Sequence, residues 1–343
     1  MVLSAPFLMF RLGADQYGVW MLASAVGGTL GVFHAGLGEA TIKYVSSYKG
    51  RNDLHGVARV VSGTIALGTI LGTIAAAVVV LSSSFLVHRV FKIDPSFHNA
   101  AVNAIRIAAV LLWLQSIYQV LSSTLKGLEL YGPPARVSVL MRSFVIVAAV
   151  ALAAGGLGVD SIMVATVVAT AIGVVWLGVI VHRLMKGHRL RISINRATFR
   201  EVFGFGVYSW LQNTAAVIFS QADKFLIATM LGAAPVAYYT LCVQLAQQVH
   251  ALPSAGFNFL FPHISKTYEG ANLRKVRRSY RLAVPVNVVV AVCLALPLIV
   301  FGRRILTIWM GQSFSTQAYP VLAILAAAFA LLSVNIVPYF TLL

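Results

Sequence analysis

Charge is what this 343-residue chain has least of: 10% of its residues are Asp, Glu, Lys or Arg, where soluble domains carry about 25%. With 59% hydrophobic residues and a mean hydropathy of +0.87, that shortage excludes an ordinary soluble protein. Acidic residues are scarcest, nine against 26 Lys and Arg, which leaves a net charge of +17. A nucleic-acid footprint would need those basic residues gathered on a polar domain. They lie between apolar runs instead, so no nucleic-acid partner is expected. Only two cysteines occur, Cys242 and Cys293, each inside an apolar segment, which excludes a disulfide framework. No HExxH, paired-Cys or Gly-x4-Gly-Lys motif is present, so neither a metal centre nor a phosphate-loop ATPase is expected, and no cofactor. No basic region precedes the apolar stretch Met1–Phe10, so it does not read as a cleavable signal.

What the chain has is long apolar runs separated by short polar breaks. A spanning helix needs about 20 residues, so Met1–Phe10 reads as the end of a first helix whose beginning is missing. Nine further spans follow: Gly18–Tyr44, Val57–Leu81, Ala100–Ser123, Arg136–Ala154, Ser161–His182, Phe203–Leu231, Val236–Leu260, Tyr280–Phe301 and Ala318 to the end. The C-terminus also stops inside an apolar run, so both ends read as truncated. The expected fold is all-α and polytopic, with about ten transmembrane helices.

Positive residues stay on the cytoplasmic side of short loops. The even-numbered loops and their flanks hold 19 Lys and Arg, the odd-numbered loops five, and Arg106 and Lys224 lie within spans. The even-numbered loops are therefore cytoplasmic. Their charge also favours anionic lipid, by about 1 kcal/mol per basic residue near the surface.

The sequence repeats itself at an offset of about 220 residues. Leu12-Gly13-Ala14 matches Leu231-Gly232-Ala233, and Val19-Trp20 matches Tyr238-Tyr239. Ala35-Gly36 matches Ala255-Gly256, and Ser47 to Asn52 matches Thr267 to Asn272. Six crossings separate the copies, so they share an orientation and the repeat is parallel. Residues 1–182 are expected to form one lobe, 183–202 a basic cytoplasmic linker, and 203–343 a second lobe. Two such lobes around a central cavity are a common plan of secondary transporters, with substrate held near the midplane.

The same residues carry a resemblance. Arg11 to Trp20, Ala35-Gly36-Leu37-Gly38 to Lys43, and Tyr48-Lys49-Gly50-Arg51-Asn52-Asp53 resemble the polysaccharide transporter family. That family includes the O-antigen flippases of the multidrug/oligosaccharidyl-lipid/polysaccharide exporter superfamily. In the second half, Ala222 to Ile227, Leu231-Gly232, Tyr238-Tyr239 and Leu260-Phe261-Pro262 are similar to its seventh and eighth helices. The resemblance implies a flippase in the cytoplasmic membrane of a bacterium or archaeon. Its substrate would be a polyprenyl-diphosphate-linked oligosaccharide, and its partners polysaccharide polymerase and chain-length proteins. It implies twelve or fourteen spans, hence a missing C-terminal end, and an acidic residue at the position taken by His34.

An ionisable group inside a span costs about 2.5 to 3.5 kcal/mol on insertion scales and needs a partner, a wet cavity or a route to the interface. Glu39 has Lys43 four residues on, the favourable order for an intrahelical pair, and serves either as that pair or as a coupling site. Asp223 shares a helical face with Ser209, Gln212, Ala216 and Ser220, a polar stripe fit for a bundle interior, or else pairs with Lys224 near the outer end. Arg106 and Arg142 either snorkel or, with Lys224 and Arg136, line a cationic cavity. A diphosphate head group requires such donors; the resemblance, not the spacing, implies the cavity.

An enzyme of the glycosyltransferase or polymerase type would place carboxylates in a large outer loop. The longest, Phe301 to Tyr319, has none. The second transport reading is a cation-coupled multidrug exporter of the same superfamily. Fold analogy does not separate it from a flippase.

Overall fold

The structure, a computed structural model, describes residues 4–30, 32–185, 220–257 and 273–338, with 211, 214, 215 and 218. Every regular element among the described residues is helical. In chain order these are α1 (Ala5–Leu30), α2 (Val32–Gly50), α3 (Leu54–Phe85), α4 (His98–Gly127), α5 (Gly132–Ala154) and α6 (Val159–Leu184). After the helical stretch 220–230 come α7 (Ala233–Ala246), α8 (Gln248–Phe257), α9 (Leu273–Val300), α10 (Gly302–Met310) and α11 (Gln312–Val334).

Among the described residues, six stretches are long and apolar enough to cross a bilayer: Leu54–Val90, Pro95–Gly127, Gly132–Ala154, Val159–Leu184, Tyr280–Val300 and Gln312–Pro338. They match the third to sixth, ninth and tenth spans read from the sequence. The eighth span contains a break, and so does the stretch just before the second. α1 leaves helical geometry at Gly13 (φ +78, ψ 164). α7 and α8 are separated by a turn at Gln247. The break before α7 is at Gly232, whose φ is +98. The two Leu-Gly-Ala copies therefore share not only sequence but a glycine in the left-handed region, where side chains are disfavoured.

The reading of Phe301–Tyr319 as a loop is corrected. Residues 302–310 form α10, and α11 begins at Gln312. α10 is amphipathic: Leu306 is buried, whereas Arg303, Arg304 and Ile308 are exposed. Nine residues are too few to register as a span, yet they suit a helix lying in an interface.

The chain forms two compact units, Phe7–Ala237 and Tyr238–Leu343 with Met1–Pro6. In the first, Val45, Val57, Val61, Leu121, Leu125, Leu177 and Val181 make one buried cluster. Small residues let the helices close up. Ser116 of α4 donates to the Gly68 carbonyl at 3.0 Å, and a Cβ on Gly72 would stand 2.5 Å from the Ser116 Oγ. This is the small-xxx-small contact of membrane helices.

The Tyr48 to Asp53 motif proves to be a turn. Asn52 takes φ +55, and Asp53 caps α3 by accepting from the Gly56 N–H at 2.8 Å. Lys49 crosses to the α4–α5 turn, donating to the Leu128 carbonyl at 2.9 Å and to Glu129 at 2.8 Å. That ammonium holds the Glu129 carboxyl below the usual range.

In the second unit, Pro253 inside α8 has no N–H for the Val249 carbonyl four residues back. Ser333 of α11 donates to that carbonyl at 3.0 Å, and buried Asn287 of α9 donates to the Ser333 carbonyl at 2.6 Å. Tyr319 supplies its hydroxyl to the Ile299 carbonyl near the end of α9.

Candidate functional site

Spacing on α4 puts Gln115, Tyr118 and Gln119 on one helical face, and the same three-and-four spacing on α5 does so for Ser138, Met141 and Arg142. These two sets, with Thr170 of α6, line a cavity of about 270 Å³. α6 comes close because Gly173 faces Met141, where a Cβ would overlap the thioether sulfur. α2 contributes Gly38, the last residue of the Ala35 to Gly38 motif. A Cβ there would stand 2.9 Å from the Gln119 Nε2. The motif glycine thus makes room for a lining amide.

Among the described residues the lining is polar except for Met141 and contains one cation and no carboxylate. Ser138 and the Arg142 guanidinium both lie beside the Tyr118 phenol. Thr170 donates to the Thr166 carbonyl at 2.8 Å, which fixes its hydroxyl. The arrangement offers a fork of guanidinium donors beside amides and hydroxyls that both donate and accept. Such a set binds an anionic or hydroxylated group. The volume lies below the roughly 300 to 1,000 Å³ of drug-sized sites, so it suits one small group rather than a whole oligosaccharide.

Of the four cationic candidates, Arg142 alone lines this cavity. Arg136 lies on another face of α5 and is exposed, as is Arg106 on α4. Lys224 is half-buried on the stretch 220–230, where its ammonium donates to Gln221 Oε1 at 2.7 Å. Gln221 in turn faces Gly28 of α1. Asp223 accepts from the Lys224 N–H at 2.8 Å through Oδ1. Of its stripe, Ser209, Gln212 and Ala216 lie outside the described residues, as do Leu260 to Pro262 and the second Thr267 to Asn272 copy. Glu39 and Lys43 are exposed on α2, and the Lys43 ammonium stands 5.7 Å from the Tyr44 ring centroid. The side chain of His34 lies outside the described ones.

Asp160 was missed by the sequence reading. It occupies the first turn of α6 beside Asn103 of α4, and its Oδ1 is cut off from solvent without a partner among the described residues. The predicted sixth span began one residue later, at Ser161, so Asp160 was counted with the loop. The Gly158-Val159-Asp160 order, a helix start with an acid in its first turn, was the available signal.

The family model for polysaccharide biosynthesis proteins matches residues 11–319. Among curated proteins, the chain is 23% identical over 350 residues to one named as a candidate O-antigen transporter of Shigella flexneri. That match covers 98% of this chain and 78% of the relative. It is also 23% identical to an uncharacterized membrane protein, EpsK, of Bacillus subtilis (strain 168), covering 98% of this chain and 66% of that protein. Among solved structures, it is similar to the inward-facing conformation of a multidrug resistance MATE family transporter of the MOP superfamily. The TM-score is 0.73 at 18% identity, over 98% of this chain and 80% of that one. The outward-facing conformation of such a transporter matches at 0.62, with 15% identity over 98% of this chain and 81% of that one. The fold is therefore MATE-like, and with the family model covering most of its length, this multi-pass membrane protein belongs to the polysaccharide biosynthesis protein family.

Proposed function

We propose that the protein flips a polyprenyl-diphosphate-linked oligosaccharide from the cytoplasmic to the outer leaflet of a bacterial or archaeal cytoplasmic membrane, for O-antigen, capsule or exopolysaccharide synthesis. The Arg142 cavity carries the reading. A polar pocket with a guanidinium and no carboxylate, set within a hydrocarbon-spanning bundle, suits an anion that must leave water, since charge-assisted bonds offset its dehydration. Half-buried Lys224 is a second donor. The lobes 1–182 and 203–343, joined by 183–202, expose the substrate alternately to each side while the polyprenyl tail stays in lipid. Glu39 or Asp223 couples this to a proton or cation, anionic lipids hold the basic cytoplasmic face, and polysaccharide polymerase and chain-length proteins receive the product.

The test is deletion in a strain with no redundant flippase. Loss of surface polysaccharide, with lipid-linked oligosaccharide trapped in the inner leaflet, is expected, and normal polysaccharide would sink the proposal. The multidrug transporters among the structural neighbours support a second reading, a cation-coupled drug exporter. Changed drug sensitivity with intact polysaccharide would select it.

A further inference from the structure

The α3–α4 loop opens with the π-helical turn Leu86–Val90 and closes with the 3-10 turn Pro95–Phe97. Between them it is fastened to the end of the stretch 220–230. The Lys92 N–H donates to the Ala228 carbonyl at 3.1 Å, and the Lys92 ammonium donates to the Met230 carbonyl at 3.2 Å. The Phe91 and Phe225 rings stack with centroids 6.1 Å apart and planes at 15°. Gly232 comes so near that a Cβ on it would stand 2.5 Å from the Lys92 carbonyl oxygen. Beside it, Gly18 of α1 lies against Ala233, where a Cβ would overlap the carbonyl. Phe91 and Ala228 are buried. The distribution of positive residues puts this end outside.

Two histidines underlie the loop. The rings of His88 and His98 meet edge to face with centroids 4.7 Å apart. His88 Nδ1 lies 2.8 Å from the Ser84 carbonyl oxygen, and His98 Nε2 lies 2.9 Å from that of Ile93. A carbonyl only accepts, so those two nitrogens carry the protons of the neutral rings and the other two receive any added proton. The charged residues of the loop are Arg89, Lys92 and Asp94, and those of the stretch 220–230 to which it is fastened are Asp223 and Lys224. α3 from Val78 to Phe85 and α4 from Asn99 to Ile105 add none. Asp94 accepts from the N–H and hydroxyl of Ser96 and also acts electrostatically on His98, so it offsets part of the charge on that ring but not on His88.

We propose that this loop is an outer strap that holds the 220–232 segment in place, and that protonation of the His88–His98 pair releases it. Two adjacent imidazolium rings beside Arg89 and Lys92 repel, and the contact that seats the loop is lost. That release is a step of a transport cycle rests on the reading above; the strap does not.

The test uses the full chain in liposomes, with Cys242→Ser and Cys293→Ser, and Ala228→Cys as reporter. Its labelling by a membrane-impermeant maleimide is divided by the rate for glutathione at the same pH. Slow labelling at about pH 7.5 and at least about tenfold faster labelling at about pH 5.5 are expected. His88→Gln with His98→Gln should remove that rise. Gly232→Ala, a wedge against Lys92, should give fast labelling at both pH values; if it fails to fold, Phe91→Ala with Lys92→Met is read in its place. Slow labelling in both opened variants overturns the strap, and a rise that persists without the histidines overturns its proton release. No substrate is involved, so a failed strap leaves the flippase reading standing, and a failed complementation leaves the strap standing.

Discussion

The hydrogen bond from Ser333 to the Val249 carbonyl gives a stability prediction that runs against intuition: removing Pro253 from its helix should make a distant serine dispensable. Pro253 leaves the Val249 carbonyl without its helical donor, and the Ser333 hydroxyl replaces that donor at 3.0 Å in a buried setting. Ser333→Ala therefore strands a buried carbonyl. A buried acceptor left unmade costs about 1 to 3 kcal/mol, and measured values between membrane helices average nearer 0.6 with a maximum near 1.7, so about 1 kcal/mol is expected. In a Pro253→Ala background the restored N–H at 253 reaches the Val249 carbonyl itself. Ser333→Ala should then cost less than about 0.5 kcal/mol, because its hydroxyl also bonds the Phe329 carbonyl within its own turn at 2.7 Å. The assay is a double-mutant cycle on unfolding of the purified protein in detergent. Equal costs of Ser333→Ala in both backgrounds would refute the reasoning, since the proline would then have orphaned nothing.

Arg142→Ala should lower transport about tenfold or more, the loss of one charge-assisted bond, and Arg142→Lys should recover part of it because charge survives while the fork does not; full activity of Arg142→Ala in complementation would mean that Arg142 only snorkels. Asp160→Asn should leave the melting temperature in detergent unchanged or raise it, because the carboxylate it removes has a buried oxygen without a partner; a fall of several degrees would show a donor at that oxygen. The lowered pKa of Glu129 makes its pair with Lys49 stabilising above the unfolded value near 4.3, with the contribution lost as pH falls through the lower folded value. The difference in melting temperature between wild type and Glu129→Gln should thus be flat above about pH 5 and vanish in stronger acid, and a gap persisting there counts against the pair. Gly13→Ala should cost about 1 to 2 kcal/mol from its positive φ alone, since a Cβ there meets nothing, whereas Gly232→Ala adds the clash with Lys92 and should cost more; equal costs by denaturant unfolding would contradict that close approach.

The spans were legible because an apolar run of about 20 residues has few alternatives, and the third to sixth, ninth and tenth emerge near their predicted bounds. α10 was not, since nine amphipathic residues look like a loop to any criterion based on length. Arg142 was legible as a charge in the wrong solvent, but its companions were not. Gln115, Tyr118 and Gln119 belong to another helix, and only packing through Gly173 and Gly38 brings the lining together. Asp160 was hidden by a span boundary one residue off.

The repeat was legible as short matches, which a biased composition can also produce, and the backbone supplies an independent criterion. Leu-Gly-Ala does not by itself force a left-handed glycine, because glycine adopts either sign of φ about as readily. Yet Gly13 and Gly232 both take it, each between a helix that ends and one that begins. A duplicated structural unit predicts that coincidence, and a composition artefact does not. The copies have since been put to different uses. At Gly13 there is open space for a side chain, whereas Gly232 is pressed against Lys92 and the first turn of α7 against Gly18. The second copy, where Lys92 packs, is therefore the one in which glycine is required twice over, by its φ and by the close approach.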